Sequence, residues 1–176
     1  PARFREGQKI IFVTIPLIFA VVNGLYFTNS IPPVPLSLKE LAVYHDVERL
    51  GADYVVTYEP ETWQDKILGR HTVHLAPGDP VFVFSSVFSP ASLDISITHV
   101  WERLDPGRGS WLQSGTVTFP LRGGRAGGYR GYSEKLNPSA GIWRVSVENA
   151  RGQLLGRVQF TIATTSADMS LATSTR

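Results

Sequence analysis

Two patterns of apolar residues divide the chain. From Ile10 to Phe27 it reads IIFVTIPLIFAVVNGLYF, without a charge and with Thr14 and Asn23 as its clearly polar positions. At about 1.5 Å per residue such a helix spans roughly 27 Å, close to the hydrocarbon thickness of a bilayer. Beyond residue 36 the period changes to two. Leu93, Ile95 and Ile97 alternate with Asp94, Ser96 and Thr98, and Trp101 falls on the apolar phase. Val117, Phe119 and Leu121, then Trp143, Val145 and Val147, then Val158, Phe160 and Ile162 repeat the alternation. Period two is the mark of half-buried strands, whereas the nearly continuous apolar run Val81–Phe88 fits a central strand.

Turn signals separate these runs: Pro77-Gly-Asp-Pro80, Asp105-Pro-Gly107, Gly123-Gly124 and Asn149-Ala-Arg-Gly152. The spacing predicts strands at about 38–47, 53–59, 80–88, 93–103, 112–121, 128–134, 141–148 and 154–162. Pro120 cannot donate to a ladder, so its strand ends there or lies at a sheet edge. The expected fold is all-β: an immunoglobulin-like antiparallel β-sandwich of seven or eight strands preceded by one transmembrane α-helix. The boundaries read as an N-terminal segment 1–9, a transmembrane helix 10–27, a Pro-rich linker 28–36, a β-sandwich domain 37–163 and a Ser/Thr-rich tail 164–176 whose composition is that of disordered chain.

A buried core helix ordinarily keeps a polar face, and the run 10–27 has none. A cleaved signal peptide needs a small-residue cleavage site, which is missing. Pro16 is tolerated in a membrane helix, and Tyr26 suits the interface. Arg3, Arg5 and Lys9 precede the run and Lys39 is the first basic residue after it. The positive-inside rule then predicts a bacterial inner-membrane protein with a cytoplasmic N-terminus and a periplasmic β domain.

Composition narrows the chemistry. With 176 residues and no cysteine, the chain is one domain plus an appendage, without disulfides or thiolate metal sites. The net charge of +2 comes from basic residues spread along the sequence, which argues against a nucleic-acid partner.

The segments Tyr129-Arg-Gly-Tyr-Ser-Glu-Lys135, Gly141-Ile-Trp-Arg-Val-Ser-Val147 and Gly156-Arg-Val-Gln-Phe160 are specific as a set. Together they resemble the C-terminal domain of a bacterial family catalogued as domain of unknown function 2914, over roughly Leu36 to Ile162. In that family membrane helices commonly precede the domain, and the resemblance implies architecture without chemistry. On physical grounds Trp143 points inward as a core anchor. Tyr129 and Tyr132, three apart, take opposite faces, and Arg130 and Arg144 cover aromatic rings or pair with carboxylates.

His71-Thr-Val-His74 is the one close histidine pair. Positions three apart on a strand point to opposite faces and no acidic third ligand stands at a recognised spacing, so no metal is expected. His99, on the apolar phase, reads as a hydrogen-bonded core histidine. No G-x-S-x-G turn occurs and no carboxylate pair can be placed across a cleft, so neither catalytic residues nor a cofactor site are expected.

Two patches suit partners. Ala20, Asn23 and Gly24 form a small and polar patch on the helix. In Arg122-Gly-Gly-Arg-Ala-Gly-Gly-Tyr-Arg130 the residues Arg122, Arg125 and Arg130 offer cations to a phosphate, a lipid headgroup or an acidic partner, or simply a solvated turn. The expected function is a non-catalytic accessory subunit of a larger bacterial membrane complex. Its partners are the lipid bilayer and other integral membrane subunits, with no small-molecule ligand. A photosynthetic reaction-centre assembly is the first example to test, by analogy alone. The alternative is a membrane-anchored periplasmic module that binds or senses a ligand or protein.

Overall fold

The computed structural model describes residues 2–27, 36–60, 71–89, 95–121, 128–167 and 169–176, with the side chains at 2–10, 26, 95 and 121 left aside. Two compact units result, Pro1–Pro35 and Leu36–Arg176. The first holds helix α1, Ala2–Phe27, with Pro16 inside it. Its described apolar side chains are exposed, from 42% at Leu25 to 79% at Phe27. Among the described residues no helix is long and apolar enough to cross a membrane. The span expected over 10–27 is corrected in that respect. Helix α1 runs through all of 10–27, with Thr14, Pro16, Asn23 and Gly24 interrupting its apolar side chains.

The second unit is built from eleven strands among the described residues: β1 Ser37–Tyr44, β2 Asp46–Leu50, β3 Asp53–Tyr58, β4 Thr72–Leu75, β5 Val81–Phe88, β6 Ile95–Asp105, β7 Ser110–Leu121, β8 Tyr129–Lys135, β9 Gly141–Asn149, β10 Leu154–Thr164 and β11 Ala172–Thr175. They form three sheets, ordered β1-β5-β8, β4-β10-β9-β6-β7 and β11-β3-β2. The mostly-β expectation holds, but with more strands and a third sheet. Pairing is antiparallel except between β4 and β10, which run parallel. Residues 164–176, expected as a disordered tail, include the end of β10 and supply β11, which pairs with β3.

Strand β5 explains the layering. Val81 and Val83 join Trp101, Trp143 and Phe160 in the core against the five-stranded sheet. Phe82 and Phe84 point the other way and pack with Tyr44, Val47, Tyr54 and Val56 under the small sheet. A strand covered on both faces has no solvent side, so its apolar run is unbroken instead of alternating. At roughly 1.5–3 kcal/mol per buried side chain, β5 contributes strongly to both cores.

Other expectations are met locally. Trp143 is buried in the core. Tyr129 packs beside Val87 and Ile97, whereas Tyr132 is 37% exposed. Pro120 lies in β7, an edge strand. One strand had been expected over 38–47, but the chain changes sheets at His45. Tyr44 pairs with Phe82, Asp46 pairs with Thr57, and the His45 N–H donates to Thr57 O at 2.8 Å.

Candidate functional site

The sheet change at His45 puts an imidazole at a corner, and that corner opens on a groove of about 470 Å³. Glu59, just past the end of β3, reaches the same space, as do His71 and His74 at and before β4. Three of the four histidines of the chain therefore meet here.

Glu59 is the hub. His45 Nε2 lies 2.7 Å from its Oε1, His74 Nδ1 lies 2.8 Å from its Oε2, and the His74 backbone N–H donates to Oε1 at 2.7 Å. Burial pushes the Glu59 carboxyl up, but the His74 and His45 hydrogen bonds outweigh it and hold the group below the usual carboxylate range. An ionised carboxylate only accepts, so the proton sits on His45 Nε2 and on His74 Nδ1. In neutral rings this leaves His45 Nδ1 and His74 Nε2 as acceptors, and the His74 side chain is 44% exposed.

A second cluster borders the groove. Arg176 Nε lies 2.8 Å from Glu40 Oε1 and 3.3 Å from the Tyr44 hydroxyl, which also donates to Glu40 at 3.2 Å. Burial raises the Tyr44 phenol above its ordinary value, against the pull of Arg176.

The reading of His71 and His74 needs correction. Alternation applies within a strand, but β4 begins only at Thr72. His71 stands before it, so both residues line one groove. His45 and Glu59 were missed because they arrive from separate segments; the break between two short apolar runs at His45 was the available signal. Among the described residues no group of three or more His, Asp or Glu is arranged to hold a metal ion.

Asn23 donates its amide to Phe19 O of its own helix at 2.7 Å, and Ala20 and Gly24 are exposed. Arg122 and Arg125 lie outside the described residues. Arg130 is engaged within the β domain, 3.1 Å from Asp53 Oδ1 and 2.8 Å from Arg176 O. Arg144 fulfils both roles foreseen for it: it pairs with both Glu102 oxygens at 2.6 and 2.9 Å and lies 4.2 Å from the Trp111 ring. The Arg144 bonds hold the Glu102 carboxyl below its ordinary value.

One Ser–His pair does form, in the core. Ser85 Oγ lies 2.8 Å from His99 Nε2, Ser133 Oγ lies 2.8 Å from His99 Nδ1, and Trp101 Nε1 donates to Ser133 Oγ at 3.0 Å. His99 is 0% exposed, as the core reading required, so this network ties sheets together and is closed to substrate.

Comparison with known proteins follows the five-stranded sheet. Residues 94–162, which run through β6 to β10, match the family described as "Protein of unknown function (DUF2914)". No curated protein matches. Among solved structures, the chain is similar to Pseudomonas fluorescens alkylpurine DNA glycosylase AlkC bound to DNA containing an abasic site analog, at 12% identity over 79% of this chain and 33% of that one, with a TM-score of 0.43. The chain thus spans about a third of that protein's length. An immunoglobulin-like protein from Pseudomonas aeruginosa matches at 11% identity over 75% of this chain and 99% of that one, with a TM-score of 0.41. The soluble domain of PmoD from a Methylocystis species matches at 18% identity over 66% and 96%, with a TM-score of 0.35.

Proposed function

We propose that the chain is a non-catalytic accessory subunit of a bacterial membrane complex, docked through α1 into the apolar surroundings of other integral subunits, with an immunoglobulin-like β domain outside them. The observation that carries this reading is the described surface of α1. Ile11, Phe12, Val13, Ile15, Leu17, Ile18, Phe19, Val21, Val22 and Leu25 are all exposed, and residues 10–27 carry no charge to keep such a surface in water. Contiguous apolar area of this kind marks an interaction surface. Purification of the full chain from native membranes in mild detergent, with a photo-crosslinker at Ile18, tests it. Stoichiometric co-purification and an adduct with a discrete membrane protein are expected. Recovery as a lone monomer crosslinked to lipid alone would overturn the reading.

The groove favours a second reading, in which the β domain binds a ligand or protein of its own. Concave sites with a few convergent polar groups are the usual form of such sites.

A further inference from the structure

At one end of the β domain two cations flank a single buried tryptophan. Strand β6 ends and β7 begins there, β9 starts opposite Arg103, and β8 ends at Lys135. The segments that join the strands at this end, 76–80, 106–109 and 136–140, all lie within the described residues. Arg103 stands two residues beyond buried Trp101 on the same face of β6, and Trp143, 3% exposed, is its partner on β9. Its Nη2 donates to Ala140 O at 3.0 Å, whereas its Nε is buried without a partner. Lys135 reaches the same indole from the other sheet. Its Nζ lies 6.0 Å from the Trp143 ring centroid and donates to Ser114 O at 2.8 Å.

Both cations thus rest on neutral carbonyls, and the carboxylates nearby are engaged elsewhere. Glu102 holds Arg144 at 2.6 Å, Asp105 faces Arg108 at 3.9 Å, and Asp79 accepts from the Ala76 N–H at 3.3 Å. Glu134 precedes Lys135 on β8 and so takes the opposite face of the strand. Among the described residues neither Arg103 nor Lys135 has an ion pair. Two leucines border the pair. Leu112, opposite Arg103 in the register, is 47% exposed, and Leu136, directly after Lys135, is 69% exposed. Neighbouring cations repel each other and bare leucines gain by leaving water, so a ligand that sets an anion beside apolar groups answers both.

We infer that this end of the β domain docks an acidic segment of a partner protein, with a carboxylate between Arg103 and Lys135 and apolar side chains on Leu112 and Leu136. Charge complementarity selects that occupant. An uncharged segment leaves both cations unanswered, and a small inorganic anion leaves both leucines bare. A flat anionic bilayer would also meet Asp79, Asp105 and Glu134, which repel it, whereas a single segment lies between them. Guanidinium forks take carboxylates through paired N–H bonds, and Arg beside a water-excluded apolar contact is common in protein interfaces. The inference goes beyond both readings of function, because it uses neither α1 nor the groove.

The test uses the isotope-labelled full chain in neutral detergent micelles, titrated with Ac-Leu-Asp-Glu-Leu-NH2 and with its amide counterpart Ac-Leu-Asn-Gln-Leu-NH2. Saturable shifts of the Trp143 indole N–H and of the Leu112 and Leu136 amides are expected with the acidic peptide, and about tenfold weaker binding with the amide one. Arg103→Gln and Lys135→Gln keep an N–H donor for Ala140 O and Ser114 O, and each should weaken the acidic peptide about tenfold without loss of the fold. Arg108→Gln, at a side chain 78% exposed at the same end, should change binding by less than about twofold. Absence of those shifts, equal binding of the two peptides, or full binding by Arg103→Gln and Lys135→Gln would overturn the inference. So would equal shifts from inorganic phosphate, or from phosphatidylglycerol added to the micelles. Each of these results leaves co-purification through α1 untouched, so the two proposals fail separately.

Discussion

Strand β5 and residues 10–27 of helix α1 are both apolar and free of charge, yet the side chains of β5 are covered on both faces while the described apolar side chains of α1 are exposed. The difference teaches what an apolar run specifies: a non-aqueous neighbour, without saying whose. β5 finds its neighbours inside its own domain, in the two cores that it separates. For α1 the same apolar composition stands exposed, so a burial argument becomes an argument about partners.

That contrast can be broken at either end. Phe84→Ala removes a fully buried ring between β5 and the small sheet. It should cost about 3–5 kcal/mol of stability, measured by urea unfolding of the full chain in detergent. A loss below about 1 kcal/mol would mean that β5 is not a two-faced core strand.

Acidification should come next. His99 is bonded to Ser85 of β5, and burial pushes its pKa down from 6.5 to about 4. Between those values the unfolded chain binds a proton that the fold refuses. Stability is therefore complete above about pH 6.5 and falls as pH drops toward 4, by about 3 kcal/mol in all. A His99→Gln variant should flatten that slope in a pH series of unfolding midpoints; an unchanged slope would assign it to other groups.

The smallest effect belongs to the helix. Ile18→Ala should change unfolding of the β domain by less than about 0.5 kcal/mol, because Ile18 is 57% exposed. A larger change would show that α1 packs on the β domain and is not held for a partner.

Much of this architecture was legible from periodicity. The strands that became β5, β6, β7, β9 and β10 were marked by alternation or by the unbroken run, and Trp143, His99 and the opposed Tyr129 and Tyr132 fell where phase put them. Short elements escaped. β4 has four residues and β11 has four, too few for a period to register. β11 also reads Ala-Thr-Ser-Thr, whose polar composition hides a strand held by its pairing with β3. The groove was half legible. His71 and His74 were conspicuous as a pair, but the carboxylate that joins His74 to His45 stands 15 residues before the one and 14 after the other, a distance in sequence that only the fold closes.

The parallel pairing of β4 with β10 sets the order in which this domain can be completed. Thr72–Leu75 waits for Thr161–Thr164, nearly ninety residues later, before it has a ladder. The pairing of β3 with β11 spans a longer interval still. Loop-closure entropy must be overcome before such contacts stabilise anything, which slows folding and lengthens the life of incomplete states. During synthesis β5 can gain its β2–β3 cover early, while its valine face has only part of its cover, from β4 and β6, and stays partly bare until β9 and β10 emerge. A nascent chain that carries both that bare face and an apolar helix is a natural client for chaperones throughout its translation.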